Sequence, residues 1–259
     1  MPKLGSAETL QVAMFPYREF LGTLLWILNG TRQDIVFPVN TLAKLKSNPG
    51  LVHWRAALRV LGFLNTAKHY CIRYAQQHFN ENITSSVYMR GRLPITPDLQ
   101  RYVDASHAAD FDTRRSTTGY IFFISREPVS WQCCMKTTVA LFSMEAEYMA
   151  ASAATKEALW QPRLLQQLGM QVDLPITLYE DNKSAIMFAD HSGDHRTTKH
   201  IDTKFNFARE AQTNGFIMLV YVPTAEQLTD GMTKDLPSSL SQSICLDHYF
   251  HRFEFEPHR

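Results

Sequence analysis

The order of the secondary structure predicted after residue 98 most constrains the fold of this chain. Three strand patterns come first, a long helical pattern follows, and two further strands then alternate with helices. The strand patterns are 99–104, 121–125, 129–132 continued as a broken strand through 137–141, 176–179 and 216–222. This order predicts an α/β protein with a five-stranded mixed sheet flanked by helices.

The helices of this region have recognisable start and stop signals. Ser143 is expected to cap the long helix. Pro162 is expected to kink or end that helix, and Gly169 to stop whatever remains of it. Shorter helices are expected from Lys183, from about 198 to 213, and from Ala225.

In residues 1–75 the apolar residues recur with the periodicity of helices, which predicts a small helical module with one basic side. Pro38 is expected to interrupt its second helix, and the third, opened by Pro49, carries Arg55 and Arg59 opposite its apolar face. The predicted organisation is therefore a helical segment at 1–75, a linker at 76–98, a sheet domain at 99–237 and a tail at 238–259.

Charge is divided unevenly along the 259 residues. Residues 1–99 carry 11 Lys/Arg against 5 Asp/Glu, and the remaining 15 Lys/Arg stand against 20 Asp/Glu. A basic half beside an acidic half suits a bound polyanion next to metal chemistry, but two solvated faces would give the same counts.

The four cysteines lack metal-ligand spacing, and no apolar run approaches the roughly 20 residues of a membrane span. We expect an intracellular protein, in the cytoplasm, a virus-like particle or the nucleus.

Four acidic residues occupy strand ends and helix starts of the predicted sheet domain. Asp104 and Asp181 follow strand patterns, whereas Glu145 and Asp230 begin helical ones. Carboxylates that converge at one sheet edge repel each other unless a cation joins them, and an all-oxygen ligand set favours Mg²⁺ or Mn²⁺. Helix caps and scattered surface charges are the alternative interpretation of the same four residues.

Long ordered motifs then point to a family. Eight segments closely resemble the ribonuclease H domain of copia-type retrotransposon polyproteins. They are 112–120, 129–131, 139–141, 145–148, 181–186, 196–202, 221–224 and 230–234. Segments 17–22, 29–35 and 53–57 resemble the thumb and connection region of the same polyproteins. The chain contains no Tyr-x-Asp-Asp motif, so the resemblance is to the C-terminal end of a reverse transcriptase and excludes its polymerase centre.

The resemblance implies a ribonuclease H-like fold and a nuclease that cuts the RNA strand of an RNA–DNA hybrid. It implies two Mg²⁺ ions, with Mn²⁺ as a substitute, held by Asp104, Glu145, Asp181 and Asp230. Glu147 competes with Glu145: residues two apart on a helix point about 200° away from each other, so only one can face the site. The motif alignment favours Glu145.

Other residues are candidates for contact with nucleic acid. Ser143, Asn182 and Lys136 flank the acids, although caps and solvated side chains explain them equally well. Arg55 and Arg59 are candidates for a phosphate track on the helical module. The implied partners are the hybrid and the upstream reverse transcriptase domains, without a membrane, and the oligomeric state stays open.

Departures from the family pattern leave two alternatives. Ser106-His107 replaces an acidic residue and Trp after Asp104, and the segment 223–229 lacks the mobile His of cellular relatives, for which His107 or His200 would have to substitute. The cluster His191, His195 and His200 lacks a fourth zinc ligand. A decayed or domesticated fragment that binds without cutting, or a transposase that cuts DNA, would share the same fold.

Overall fold

The computed structural model describes residues 14–74, 97–110, 112–190, 206–236, 244 and 250–252. The chain divides into two compact units, Met1–Arg73 with Asp230–Arg259, and Tyr74–Thr229. Most of the predicted linker and tail lies outside the described residues, and the predicted domain boundaries stay predictions. In the described part of the chain, no helix is both long and apolar enough to cross a membrane.

The described elements follow one another in this order along the chain. They are α1 (Tyr17–Gly30), a 3-10 helix (Gln33–Ile35), α2 (Val36–Ala43), α3 (Leu51–Thr66), β1 (Tyr70–Cys71), β2 (Leu99–Ser106), β3 (Thr117–Ile124), β4 (Glu127–Met135), α4 (Ser143–Gln167), β5 (Ile176–Glu180), α5 (Lys183–Asp190), α6 (Asn206–Thr213), β6 (Ile217–Tyr221), a 3-10 helix (Thr224–Glu226), α7 (Asp230–Thr233) and β7 (His251–Arg252).

The first unit is helical, as the periodicity of its sequence predicts. α1 buries Tyr17, Leu21, Leu24 and Leu28, which recur every three or four residues. Pro38 does not interrupt the second helix, contrary to the prediction. α2 begins only two residues before Pro38, and N–H groups in a first turn have no acceptor within the helix, so proline costs little there.

A buried ion pair lies in the segment between α1 and α2 of the first unit. Arg32 contacts the carboxylate of Asp34 through Nη2 at 2.6 Å and through Nε at 2.9 Å. Its Nη1 also donates to the carbonyl of Ala67 at 3.2 Å. The guanidinium lies over the rings of Phe63 and Phe250, at 5.8 and 5.5 Å from their centroids. The charged residues of the segment 29–35 therefore have a structural role in this unit.

The second unit contains the predicted five-stranded mixed sheet, which is confirmed. Its strand order is β4-β3-β2-β5-β6. The first three strands pair antiparallel, and β5 and β6 continue the sheet parallel to β2. The third strand is one element with a register shift between Phe122 and Phe123 on its neighbour, and the predicted continuation through 137–141 lies outside the strand.

The long helix α4 forms the centre of the second unit. It packs on β2 through small side chains, including Ala150, Ala154 and Ala158, which let the helix approach the sheet closely. Ser143 is its first residue instead of its N-cap, which is Phe142. Pro162 neither kinks the helix into two elements nor ends it, because the helix is buried there and continues to Gln167.

A glycine conformation and a side-chain contact define the end of α4 and its attachment to the sheet. Gly169 follows the helix with a φ of +79°, so the predicted stop is confirmed. Arg101 of β2 is buried and donates from Nε to Gln161 Oε1 at 3.3 Å. Desolvation lowers the pKa of Arg101 to about 10. α4 is thus held to β2 beside Pro162.

Two shorter helices of the second unit pack beside α4. α5 begins at Lys183 as predicted, and α5 and α6 both pack against α4. The predicted helix 198–213 is described only from Asn206 onward. His191, His195 and His200 lie outside the described residues.

Candidate metal centre

Two of the predicted acids are brought together by the parallel pairing of β2 with β5. Tyr102 is level with Tyr179 in this pair. Asp104 and Asp181 are each two residues further along, so both lie at the carboxyl ends of adjacent strands, which are about 4.8 Å apart in a sheet. Asp104 is fully buried, with 0% of its surface exposed, and Asp181 is partly buried.

A third carboxylate reaches these two from α4. Asp104, Glu147 and Asp181 each offer a carboxylate oxygen, and these oxygens all lie within 4.8 Å of one another. Glu147 is on the second turn of α4, which packs directly on β2. We refer to Asp104, Glu147 and Asp181 as the acidic cluster.

Glu145 is not the glutamate that the structure brings to the acidic cluster, and its metal-binding role stays a prediction from the resemblance. Its Oε2 accepts a hydrogen bond of 2.7 Å from the backbone N–H of Leu141, so the side chain turns back onto the loop before α4. The expectation that only one of the two can face the site agrees with the helix geometry. That one is Glu147.

Asp230 belongs to the first unit, where it begins the short helix α7. Its Oδ1 lies 2.6 Å from Nζ of Lys234, one helical turn later. α7 packs against α2 and against the 3-10 helix Gln33–Ile35. The metal-binding role of Asp230 therefore stays a prediction from the resemblance.

The loop after β6 supplies two residues that the sequence analysis did not assign. Thr224 Oγ1 donates to Asp181 Oδ2 at 2.8 Å. Gln227 is buried, and its Nε2 donates to the carbonyl of Val103, next to Asp104, at 2.9 Å. The resemblance at 221–224 was the available signal for Thr224, but it carried no role, and Gln227 had no such signal.

Gln227 is expected to stabilise the strand that carries Asp104. Its Oε1 also accepts a 2.6 Å hydrogen bond from Thr229 Oγ1. Gln227→Leu would leave the buried carbonyl of Val103 and the hydroxyl of Thr229 without these partners, at a cost of about 1–3 kcal/mol. Urea unfolding should show this loss, whereas Gln171→Leu, at an exposed glutamine, should change stability little. Equal unfolding curves for the two variants would contradict a bracing role for Gln227.

Two of the five candidate nucleic-acid contacts, Asn182 and Lys136, have structural roles. Asn182 caps α5, since its Oδ1 accepts from the N–H of Ala185 at 3.1 Å. Lys136 donates from Nζ to the carbonyl of Met149 at 3.0 Å. Ser143 is exposed at the start of α4, and His107 is exposed with its Nε2 at 3.2 Å from the carbonyl oxygen of Ala140.

Arg55 and Arg59 lie on the exposed side of α3, as expected of a basic face. Arg59 also lines a cavity of about 380 Å³ within the first unit. Other residues lining it are Phe37, Val60, Phe63, Lys234 and Leu236. Both arginines are therefore accessible to an anion.

The acidic cluster has the chemistry of a site for a hard divalent cation. Its ligand atoms are carboxylate oxygens, which suit Mg²⁺ or Mn²⁺ better than zinc. Three carboxylates this close repel each other, and two of them are buried, which is costly unless positive charge compensates. The three residues fit a divalent cation.

No protein-family model matches the chain, but comparison with known proteins finds relatives among the Pol polyproteins of transposons. It is 34% identical over 230 residues to the retrovirus-related Pol polyprotein from transposon TNT 1-94 of Nicotiana tabacum, covering 89% of this chain and 16% of that protein. It is 32% identical over 221 residues to the corresponding polyprotein from transposon RE2 of Arabidopsis thaliana, covering 85% and 14%. The secreted RxLR effector protein 161 of Plasmopara viticola is 35% identical over 145 residues, covering 56% of this chain and 90% of the effector.

The solved structures that match part of the chain include ribonucleases H. LC11-RNase H1, determined in complex with an RNA/DNA hybrid, matches with a TM-score of 0.36 and 13% identity over 50% of this chain and 88% of that chain. RNase H1 from Halobacterium salinarum matches with a TM-score of 0.36 and 17% identity over 56% and 96%.

The sheet order and the central helix define an α/β domain with a five-stranded mixed sheet in the second unit, and this domain contains the acidic cluster. Over 89% and 85% of its length, the chain is similar to retrovirus-related Pol polyproteins from plant copia-type transposons. It spans only 16% and 14% of the length of the tobacco and Arabidopsis polyproteins.

Proposed function

We propose that this chain is a metal-dependent endonuclease that cleaves the RNA strand of RNA–DNA hybrids, as part of a copia-type reverse transcriptase. The observation that carries the proposal is the acidic cluster, whose three carboxylates lie within 4.8 Å of one another at one end of the sheet. The products would be 5′-phosphate and 3′-hydroxyl ends.

The proposed cofactor is a pair of Mg²⁺ ions, with Mn²⁺ as a substitute. When bound, the ions supply positive charge that activates a water molecule and stabilises the departing 3′ oxygen. Asp104, Glu147 and Asp181 would hold them, with Asp230 as a fourth ligand on the strength of the resemblance. Glu147 takes the place that the motif alignment gave to Glu145.

The residues of the chain would bind the cofactor and position it. Asp104 is fixed in β2 between two paired strands, and Glu147 is fixed in a buried helix, so neither side chain needs to be ordered during the reaction. Thr224 and Gln227 hold Asp181 and the strand of Asp104 from the loop after β6.

Substrate binding is proposed to involve the first unit and the upstream reverse transcriptase domains. Arg55 and Arg59 are exposed on one helix and offer positive charge for phosphates. Affinity for the hybrid should therefore fall as salt rises. Preference for RNA in the cut strand would require contacts to its 2′-hydroxyl groups.

Cleavage of a labelled hybrid by the intact chain tests the proposal. With Mg²⁺ present, we expect cuts in the RNA strand only, and chelation by EDTA should abolish them. Asp181→Asn should lower the rate by at least about 10²–10³-fold, because it weakens the charge that stabilises the transition state.

Two controls give the assay its power. Duplex DNA of the same sequence should stay intact, and its cleavage would favour the transposase alternative. If intact chain and Asp181→Asn gave the same background rate, the nuclease proposal would be wrong.

A binding module that does not cut is the second candidate function. The observation that favours it is the effector relative from Plasmopara viticola, of which this chain covers 90%. A protein that is not named as a Pol polyprotein therefore consists almost wholly of sequence related to this chain. Salt-sensitive hybrid binding without metal-dependent cleavage would support this candidate.

A further inference from the structure

The parallel pairing of β5 with β6 delivers the loop after β6 to Asp181. Glu180 is level with Tyr221 at the end of this pair. The pairing extends one residue further, since the N–H of Val222 donates to the carbonyl of Glu180 at 3.0 Å. Pro223 follows with φ −59° and ψ 142°, an extended conformation that places Thr224 beyond the strand ends.

The side chain of Thr224 is directed to Asp181 instead of to its own helix. Thr224 opens the short 3-10 helix, whose N-cap is Pro223 with no side-chain capping bond. Its hydroxyl donates 2.8 Å to Asp181 Oδ2, across 43 residues of sequence. The contact therefore arises from the tertiary structure.

One hydrogen bond of this kind fixes the orientation of a carboxylate. The terminal torsion of an aspartate is broad, so a partly exposed carboxylate samples many orientations unless a partner holds it. Thr224 binds Oδ2, and each carboxylate oxygen has a second lone pair for another partner. Partners that orient metal ligands typically change metal affinity or activity by about 10–100-fold when they are removed.

We propose that Thr224 is a positioning residue that orients Asp181 for binding of a divalent cation by the acidic cluster. Its consequence for catalysis rests on the proposed nuclease function, whereas its consequence for cation binding does not. Thr224 is exposed, so its replacement should leave the fold intact.

Mn²⁺ binding to the full chain, followed by electron paramagnetic resonance of the free ion, tests this role. Thr224→Val keeps the shape of the side chain and removes the hydroxyl, and we expect its Mn²⁺ affinity to fall about 10-fold. Thr224→Ser keeps the hydroxyl and should restore affinity to within about 3-fold of the parent.

Thr113→Val is a matched control, because Thr113 Oγ1 makes the same kind of 2.8 Å bond to Asp110, which is not in the acidic cluster. It should bind Mn²⁺ like the parent. The proposal is overturned if Thr224→Val binds Mn²⁺ like the parent, if Thr224→Ser is as weak as Thr224→Val, or if the parent binds no Mn²⁺.

The hybrid assay separates this inference from the proposed function. A parent that binds Mn²⁺ with the expected Thr224 dependence but does not cut the hybrid would overturn the nuclease and keep the positioning role. If the parent cuts the hybrid and Thr224→Val is unchanged in Mn²⁺ affinity, kcat and KM, the nuclease proposal is kept and the positioning role of Thr224 is overturned.

Discussion

Glu147→Gln is expected to reduce metal-dependent cleavage of an RNA–DNA hybrid by about 10³-fold, whereas Glu145→Gln should stay within a few-fold of the parent. Glu147 contributes a carboxylate to the acidic cluster, and the amide of glutamine cannot replace its charge. Glutamine at 145 keeps an oxygen that can accept the hydrogen bond from Leu141. Initial rates at saturating Mg²⁺ measure the difference.

The two variants form a matched pair. Glu145 and Glu147 are on the same helix and are nearly equally buried, with 5% and 6% of their surface exposed. General damage to the helix should therefore affect both variants alike, and Mn²⁺ binding should be weakened in Glu147→Gln only. Loss of activity in Glu145→Gln with full activity in Glu147→Gln would return the ligand role to the residue that the motif alignment favours.

Arg32→Met should destabilise the first unit by about 3–5 kcal/mol, the cost typical of breaking a buried ion pair. The side chain of Asp34 is only 1% exposed, so the variant would leave its charge in the interior without the guanidinium. The carbonyl of Ala67 would also lose its donor. Hydrogen exchange of the amides of α1 and α3 measures the loss in this unit.

Arg55→Met provides the comparison, because Arg55 is exposed on α3 and its loss should change stability by less than about 0.5 kcal/mol. The double variant Arg32→Met with Asp34→Leu removes both charges and should recover much of the lost stability. If the amides of Arg32→Met were as well protected from hydrogen exchange as those of Arg55→Met, the ion pair would have no role in stabilising the unit.

These expectations show how far sequence patterns lead in this chain. The alternation of strands and helices predicted the five-stranded mixed sheet, and the strand-end positions of Asp104 and Asp181 predicted their convergence. Both depend on local periodicity and on the rule that parallel neighbours end at the same edge. The predicted resemblance to copia-type Pol polyproteins is confirmed by relatives that match 89% and 85% of the chain.

Local rules failed where burial outweighed them. Pro162 is a helix breaker by its chemistry, yet α4 continues through it, and Gln161, Pro162 and Leu165 are buried on one face of the helix at that point. Pro38 is harmless because it lies in the first turn of α2, where an N–H group would have no acceptor within the helix. The start of one helix and the burial of the other decided these two outcomes, and packing sets both.

Local patterns were enough to predict the order of the elements, the separation of Glu145 and Glu147 around a helix, and the resemblance to Pol polyproteins. The choice of the glutamate that joins the acidic cluster depended on the packing of α4 against the sheet. In an amphipathic helix, a stripe of apolar residues identifies the face that packs inward. Residues 145–152 of α4 are all buried, so their sequence shows no such stripe and does not indicate which face meets the sheet. The contact of Thr224 with Asp181 is equally invisible in sequence, because it depends on the register of two strands that lie far apart in the chain.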